Sequence, residues 1–156
     1  MHRSTWIVVL LVLSAGCATP GGSTESEADT SWVPPSDPEL VALRDEAVTI
    51  LDTFCAACHA GDAGAAALDL RKTDMESRLI DVPSTQVDTL RLVDTIAPER
   101  SYLVMKMRGT KGIVGQRMPL GGRISEEFIE DVEAWVAALA EFRAGTRPDT
   151  TAPAEK

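Results

Sequence analysis

Histidine, cysteine and aromatic residues are scarce in this chain of 156 residues, which has 2 histidines, 3 cysteines and 4% aromatic side chains. With so few aromatic residues, a hydrophobic core filled by side chains alone would be small. The length allows one small domain. Basic residues are also outnumbered, because 24 acids against 15 lysines and arginines give a net charge of −9. An acidic chain of this kind is a poor partner for nucleic acid.

A long apolar run is missing as well. The run from Trp6 to Leu13 is far shorter than the roughly 20 residues that a membrane-spanning helix needs. It follows a basic start at His2 and Arg3 and precedes small residues and Cys17. This order is typical of an export signal, so we expect residues 1–16 to be a signal peptide.

The position of Cys17 directly after Ala15 and Gly16 resembles the lipobox of bacterial lipoproteins, in which that cysteine is acylated and becomes the N-terminus. Leu13 departs from the commonest pattern, because it stands four places before the cysteine instead of three. We expect a lipid anchor at Cys17 that faces the periplasm. The outer membrane is favoured over the inner, since Ala18 is not the aspartate that often marks inner-membrane retention. The alternative is an ordinary secretory signal that leaves a free thiol.

Both ends of the mature chain have the composition of unfolded segments. Residues 17–37 are rich in Gly, Pro, Ser, Thr and acids and contain no Lys or Arg, which predicts a disordered acidic linker. Residues 143–156 have the same character and predict a disordered tail. Residues 38–142 remain as the folded domain. They show no internal repeat and no alternating strand pattern, so we expect an all-α globule of about four helices.

Two long amphipathic helices are predicted at the ends of this domain. The first begins at Ser36 or Asp37 as N-cap, with Pro38 in its first turn. The last begins at Ser125, with acids in its first turn. Apolar residues recur at helical spacing on one face of each helix. They are Leu40, Leu43, Ala47, Leu51 and Phe54 in the first helix and Phe128, Val132, Trp135, Leu139 and Phe142 in the last.

Two shorter helices are predicted between them. Thr73 and Glu76 have the spacing of a capping box, which predicts a short helix at this point. Pro98 and Gly109 mark the start and the stop of a third helix. The glycine-rich stretch 109–122 predicts a loop before the last helix.

The motif Cys55-Ala-Ala-Cys58-His59 allows several interpretations. A thioredoxin-like redox pair needs a strand before the first cysteine, and here a helix precedes it. A zinc site normally has four nitrogen or sulfur ligands, and the mature chain adds only Cys17 to these three, because His2 leaves with the signal. A structural disulfide between Cys55 and Cys58 leaves the histidine without a role.

Covalent attachment of haem c is the interpretation that uses every residue of the motif. Cys-x-x-Cys-His is the recognised signature of this attachment. Two thioether bonds, from Cys55 and Cys58, fix the edge of the porphyrin, and His59 is placed under the iron as its proximal ligand. Small side chains at Ala56 and Ala57 allow the turn to lie close to the ring. Export agrees with this interpretation, because the attachment is made outside the cytoplasm.

The opposite face of such an iron needs a ligand or an open pocket, and methionine is the natural candidate without a second histidine. Met75 lies at the start of a short helix, and Met105 and Met107 are two apart in another, which is typical of core residues. Met118 is different, because it lies in a glycine-flanked loop beside Pro119, which stiffens the backbone. We therefore expect Met118 to be the distal ligand.

Basic residues without any acid occupy the stretch around Met118. A haem edge surrounded by them could attract an acidic redox partner in a short-lived encounter. The equally open alternative is that one or two of them neutralise the haem propionates and the rest are solvated. The stretch contains Lys106, Arg108, Lys111, Arg117 and Arg123, of which all except Arg108 are the expected docking residues.

These segments together resemble a known family. "CAACH", "SYLVMKMRG" and "RMPLGG" leading into "ISEEFIEDVEAWV" are similar to the small monohaem class I cytochromes c, of the lipoprotein-anchored type common in planctomycete and myxobacterial lineages. The resemblance covers roughly residues 39–142. It implies helices wrapped round one haem, with the first and last helices crossing. It also implies thioether bonds at Cys55 and Cys58, axial ligation by His59 and Met118, and Leu51 or Phe54 packed against Trp135.

The resemblance implies a membrane-anchored single-electron carrier rather than an enzyme. Many class I members have a proline after the motif whose neighbouring carbonyl accepts the proximal histidine N–H, and this chain has none there. Another carbonyl of the loop is expected to take that place. Two alternatives stay open: a haem c enzyme or ligand sensor with an open distal position, and a subunit of a larger oxidoreductase with the same chemistry.

Overall fold

The computed structural model describes residues 37–61 and 64–147, and within them the fold is all-α. Over these two stretches there is no β-strand and no helix that is long and apolar enough to span a membrane. The expected signal peptide, Cys17 and most of the acidic linker lie outside the described residues. The helices are α1 Pro38–Cys55, α2 Met75–Leu79, α3 Tyr102–Arg108 and α4 Glu126–Arg143.

Helices α1 and α4 begin where the sequence predicts. The Asp37 carboxylate accepts hydrogen bonds from the N–H groups of Glu39 and Leu40, at 3.0 and 3.4 Å. Ser125 Oγ accepts from the Phe128 N–H at 3.4 Å. Each cap satisfies N–H groups that have no partner inside the helix, and this fixes the first turn.

The core lies mainly between α1 and α4, which form the most extensive contact between helices. Leu51 of α1 and Trp135 of α4 are fully buried in this cluster. Phe54 is near the end of α1, and its ring lies 5.3 Å from that of Phe128 rather than in the buried cluster. The apolar faces predicted for the two helices therefore meet, except that Phe54 and Phe142 remain 42% and 40% exposed.

The two short helices differ from the prediction in their starts. Helix α2 begins after Asp74, and no side chain caps it, so the capping box is wrong. Glu76 is instead buried and accepts a hydrogen bond from Arg44 of α1. Helix α3 begins at Tyr102, because the segment that starts at Pro98 forms a separate 3₁₀ turn.

The structure describes five residues past Phe142, where the sequence predicts the end of the domain. Arg147 folds back to the start of α1 and forms ion pairs with Asp37 and Glu39, the second at 3.0 Å. Its side chain is 9% exposed. Part of the expected C-terminal tail, up to Arg147, is therefore packed against the domain.

Candidate cofactor site

The motif at residues 55–59 turns the chain at the C-terminal end of α1. The N–H groups of Cys58 and His59 both donate to the Cys55 carbonyl, at 3.1 and 3.0 Å. Both thiols are free, so no disulfide joins them. Burial, with a smaller effect of Cys58, raises the pKa of the Cys55 thiol to about 11. That thiol therefore stays protonated at neutral pH.

His59 is buried, and one of its two ring nitrogens already has a partner. Nδ1 lies 2.8 Å from the Ala65 carbonyl oxygen. Because a carbonyl oxygen only accepts hydrogen bonds, Nδ1 carries a hydrogen, and in the neutral ring the lone pair is then on Nε2. Histidines that bind metals usually have this arrangement. The sequence predicts a loop carbonyl beside His59, and in the structure that carbonyl belongs to Ala65.

The loop that carries the Ala65 carbonyl is held by close backbone contacts. A Cβ atom at Gly64 would lie 2.8 Å from the Ala60 nitrogen, closer than real Cβ atoms approach other atoms. Ala66 and Ala67 have φ angles of 59° and 51°. This left-handed conformation costs an L-residue about 1 to 2 kcal/mol. Such local strain is common where a loop is shaped for a site.

A cavity of about 460 Å³ opens beside the motif. Cofactor and ligand sites commonly have roughly 300 to 1,000 Å³. Phe54 and Leu120 line it and are 42% and 64% exposed, so an apolar group in the cavity would cover them. Its walls include Cys55, Cys58, His59, Ala65, Leu68, Leu70, Leu92, Leu103, Met107, Met118 and Pro119.

Met118 lines the same cavity as the motif, although the two are far apart along the chain. Its N–H donates to the Lys106 carbonyl at 2.8 Å, which ties the loop to α3. Met75 is fully buried in the core. Met107 also lines the cavity, which the sequence analysis missed. The i, i+4 spacing of Leu103 and Met107 on α3 is the signal that could have indicated a shared face.

The expected basic residues do not share one exposed face. Lys106 is buried in the cavity wall, where its ammonium group donates to the carbonyls of Val114 and Gln116. Arg117 is half-buried and donates to the Met107 carbonyl at 2.9 Å. Arg108 forms ion pairs with Glu126 and Glu133 of α4. Lys111 and Arg123 are exposed.

Within residues 37–61 and 64–147, no group of three or more His, Cys, Asp or Glu side chains is arranged to hold a metal ion. A scan against protein-family models and searches of curated proteins and of solved structures gave no match.

Proposed function

We propose that this chain is a single-electron carrier of the monohaem class I cytochrome c type, with one haem c in the cavity beside the motif. One observation carries the proposal: two thiols, an imidazole with its Nδ1 engaged and a thioether all line one largely apolar cavity. These groups are what a haem c with His/Met ligation requires. Such a haem, when bound, supplies a reversible one-electron couple between ferric and ferrous iron.

In this proposal, Cys55 and Cys58 hold the haem through thioether bonds, and His59 is the proximal ligand. The hydrogen bond from Nδ1 to the Ala65 carbonyl fixes the tautomer and the orientation of the ring. It also makes Nε2 a stronger donor to a metal. The chain leaves α1 at Cys55, so the three residues are presented on one short turn.

Met118 is the proposed distal ligand, and its loop is anchored to α3 through the Lys106 carbonyl. A thioether ligand and an apolar cavity both favour the ferrous state over the ferric state. The apolar side chains of Phe54, Leu103 and Leu120 line the cavity and would shield a bound haem from water. If His59 and Met118 both held the iron, no position would remain open to a substrate, which is why we propose an electron carrier rather than an enzyme or a ligand sensor.

The location and the partner belong to the same proposal. We propose a mature protein tethered by lipid at Cys17 to a bacterial membrane, on its periplasmic side, that exchanges electrons with an acidic redox protein. Of the expected docking residues, Lys111 and Arg123 are exposed, and Arg117 is half-buried. Rates of electron transfer should fall with rising salt, and charge reversal at the exposed residues Lys111 and Arg123 should remove that dependence. Rates that do not respond to salt would contradict the docking role.

The axial ligands are tested by an absorption spectrum of the protein matured in a host that attaches haem c, recorded with and without reductant. We expect a low-spin spectrum with a weak near-infrared sulfur-to-iron band that Met118→Ala removes. Met107→Leu is the matched control, because Met107 lines the same cavity and its substitution should leave the band in place. A high-spin spectrum, or a band lost only in Met107→Leu, would contradict the assignment of Met118.

A further inference from the structure

Lys106 is a lysine in the wall of the cavity rather than on the surface, with 9% of its area exposed. Lysine is rarely buried, because its ammonium group loses water unless protein atoms replace it. Here two backbone carbonyl oxygens replace it. The Nζ atom donates to the oxygens of Val114 and Gln116, each at 2.8 Å.

Lys106 also contacts residues 114–118 through its backbone. The Lys106 carbonyl accepts the N–H of Met118 at 2.8 Å. One turn earlier on α3, Tyr102 Oη accepts the N–H of Val114 at 3.0 Å. Residues 114–118, here called the methionine loop, are therefore tied to one face of α3 at both ends and in the middle.

The methionine loop has one further tie to α3, because the Arg117 guanidinium donates to the Met107 carbonyl at 2.9 Å. Gly115 of the loop has a φ angle of 73°, in the region that favours glycine, and glycine leaves the backbone its greatest freedom. The loop contains no helix or strand. Two carbonyl oxygens that point at one place repel each other unless a donor lies between them, and the ammonium group is that donor.

We propose that Lys106 is the positioning residue of the methionine loop, holding it so that the Met118 thioether stays at the cavity. The assignment of Met118 as an iron ligand rests on the proposed function above. The anchoring of the methionine loop by Lys106 does not. Lys106 therefore acts through the loop and does not dock a partner.

The test compares Lys106→Met, which keeps the length and loses the donors, with Lys106→Arg, which keeps a charged donor. Lys72→Met is the control, because Lys72 is an exposed lysine outside this loop and is not one of the expected docking residues. All three are made in the full chain matured with haem. The readouts are hydrogen exchange at the N–H groups of Val114 and Met118, the near-infrared sulfur-to-iron band and the midpoint potential.

We expect Lys106→Met to speed exchange at both N–H groups by about tenfold or more, since two charge-assisted hydrogen bonds are lost. The band should weaken and the potential should fall, with partial recovery in Lys106→Arg and no change in Lys72→Met. Exchange that is unchanged in Lys106→Met would overturn the proposal. If the unmutated protein lacks the band, the ligation by Met118 is wrong, and the exchange result still decides whether Lys106 anchors the loop.

Discussion

Helices α1 and α4 and the loops around the cavity are held by different interactions. The two helices meet through apolar faces in which many side chains, among them Leu51 and Trp135, share the burial. The loops depend on a few individual contacts, such as the Ala65 carbonyl on His59 and the ammonium group of Lys106 on two carbonyls. A distributed contact tolerates small changes, whereas a loop held by single contacts loses its shape when one is removed.

Trp135→Ala should have the largest effect, because it empties the centre of the contact between α1 and α4. Trp135 is fully buried. Removal of a large buried aromatic side chain costs about 3 to 5 kcal/mol of unfolding free energy. Urea denaturation followed by circular dichroism measures this loss. A loss below that of Phe142→Ala, on the partly exposed side of α4, would contradict the view of the core given above.

Gly64→Ala should have a smaller effect on stability and a specific effect on the site. The added Cβ would meet the Ala60 nitrogen at 2.8 Å, so the loop has to shift. Overpacking of this kind costs about 1 to 3 kcal/mol. The Ala65 carbonyl should move away from His59, which lowers the yield of low-spin haem protein.

Gly122→Ala is the matched control for this substitution. The nearest atom to an added Cβ there is the Pro119 Cγ at 3.9 Å, which is an ordinary contact. Absorption spectra of the two variants, with total protein measured separately, give the fraction of low-spin haem. Equal fractions in both variants would contradict the role of Gly64.

Alanine-to-glycine substitutions should have opposite signs in the two regions. Ala66→Gly relieves a left-handed alanine and should stabilise the protein by up to about 1 kcal/mol. Ala134→Gly, on the exposed face of α4, should destabilise it by about 1 kcal/mol. Paired urea titrations measure the change in unfolding free energy for each variant. Two changes of the same sign would contradict the inference that Ala66 is strained.

Asp81→Asn should have the smallest effect, and the effect should depend on pH. Burial raises the pKa of Asp81, but hydrogen bonds from Thr95 and Arg91 outweigh it, and the pKa is lowered. A carboxylate whose folded pKa is lowered stabilises the fold above its unfolded pKa of about 3.9, and this stabilisation disappears as the pH falls through the folded value. We expect the substitution to lower the free energy of unfolding by less than about 1 kcal/mol at pH 7, because the ion pair of Asp81 with Arg91 is partly exposed. A loss that stays constant down to pH 2 would contradict this origin.

The sequence predicts α1 and α4 well because the signals for these helices lie within the helices themselves. Asp37 and Ser125 are caps that act within one turn, and the apolar spacing marks the buried faces. The same reasoning fails at Thr73, because Glu76 pairs with Arg44 of α1 instead of closing a capping box. A contact between distant segments overrides a local pattern there.

The residues that line the candidate site can be predicted from the sequence, but the backbone contacts that hold them in place cannot. The sequence predicts Cys55, Cys58, His59 and Met118 as site residues, and all four line one cavity. Neither the Ala65 carbonyl nor the burial of Lys106 has a signal in the sequence, because backbone oxygens are the partners and every residue has one. The sequence alone predicts that Lys106 is a surface charge, and only the path of the methionine loop shows that it is buried.

The most direct test of the central claim is the mass of the tryptic peptide 45–71, prepared from the mature protein made in a host that attaches haem c. This peptide contains the whole motif and excludes the lipid anchor. We predict a mass increased by one haem, and no increase in the Cys55→Ser/Cys58→Ser variant. A peptide of unmodified mass, with both thiols free or joined in a disulfide, would contradict it.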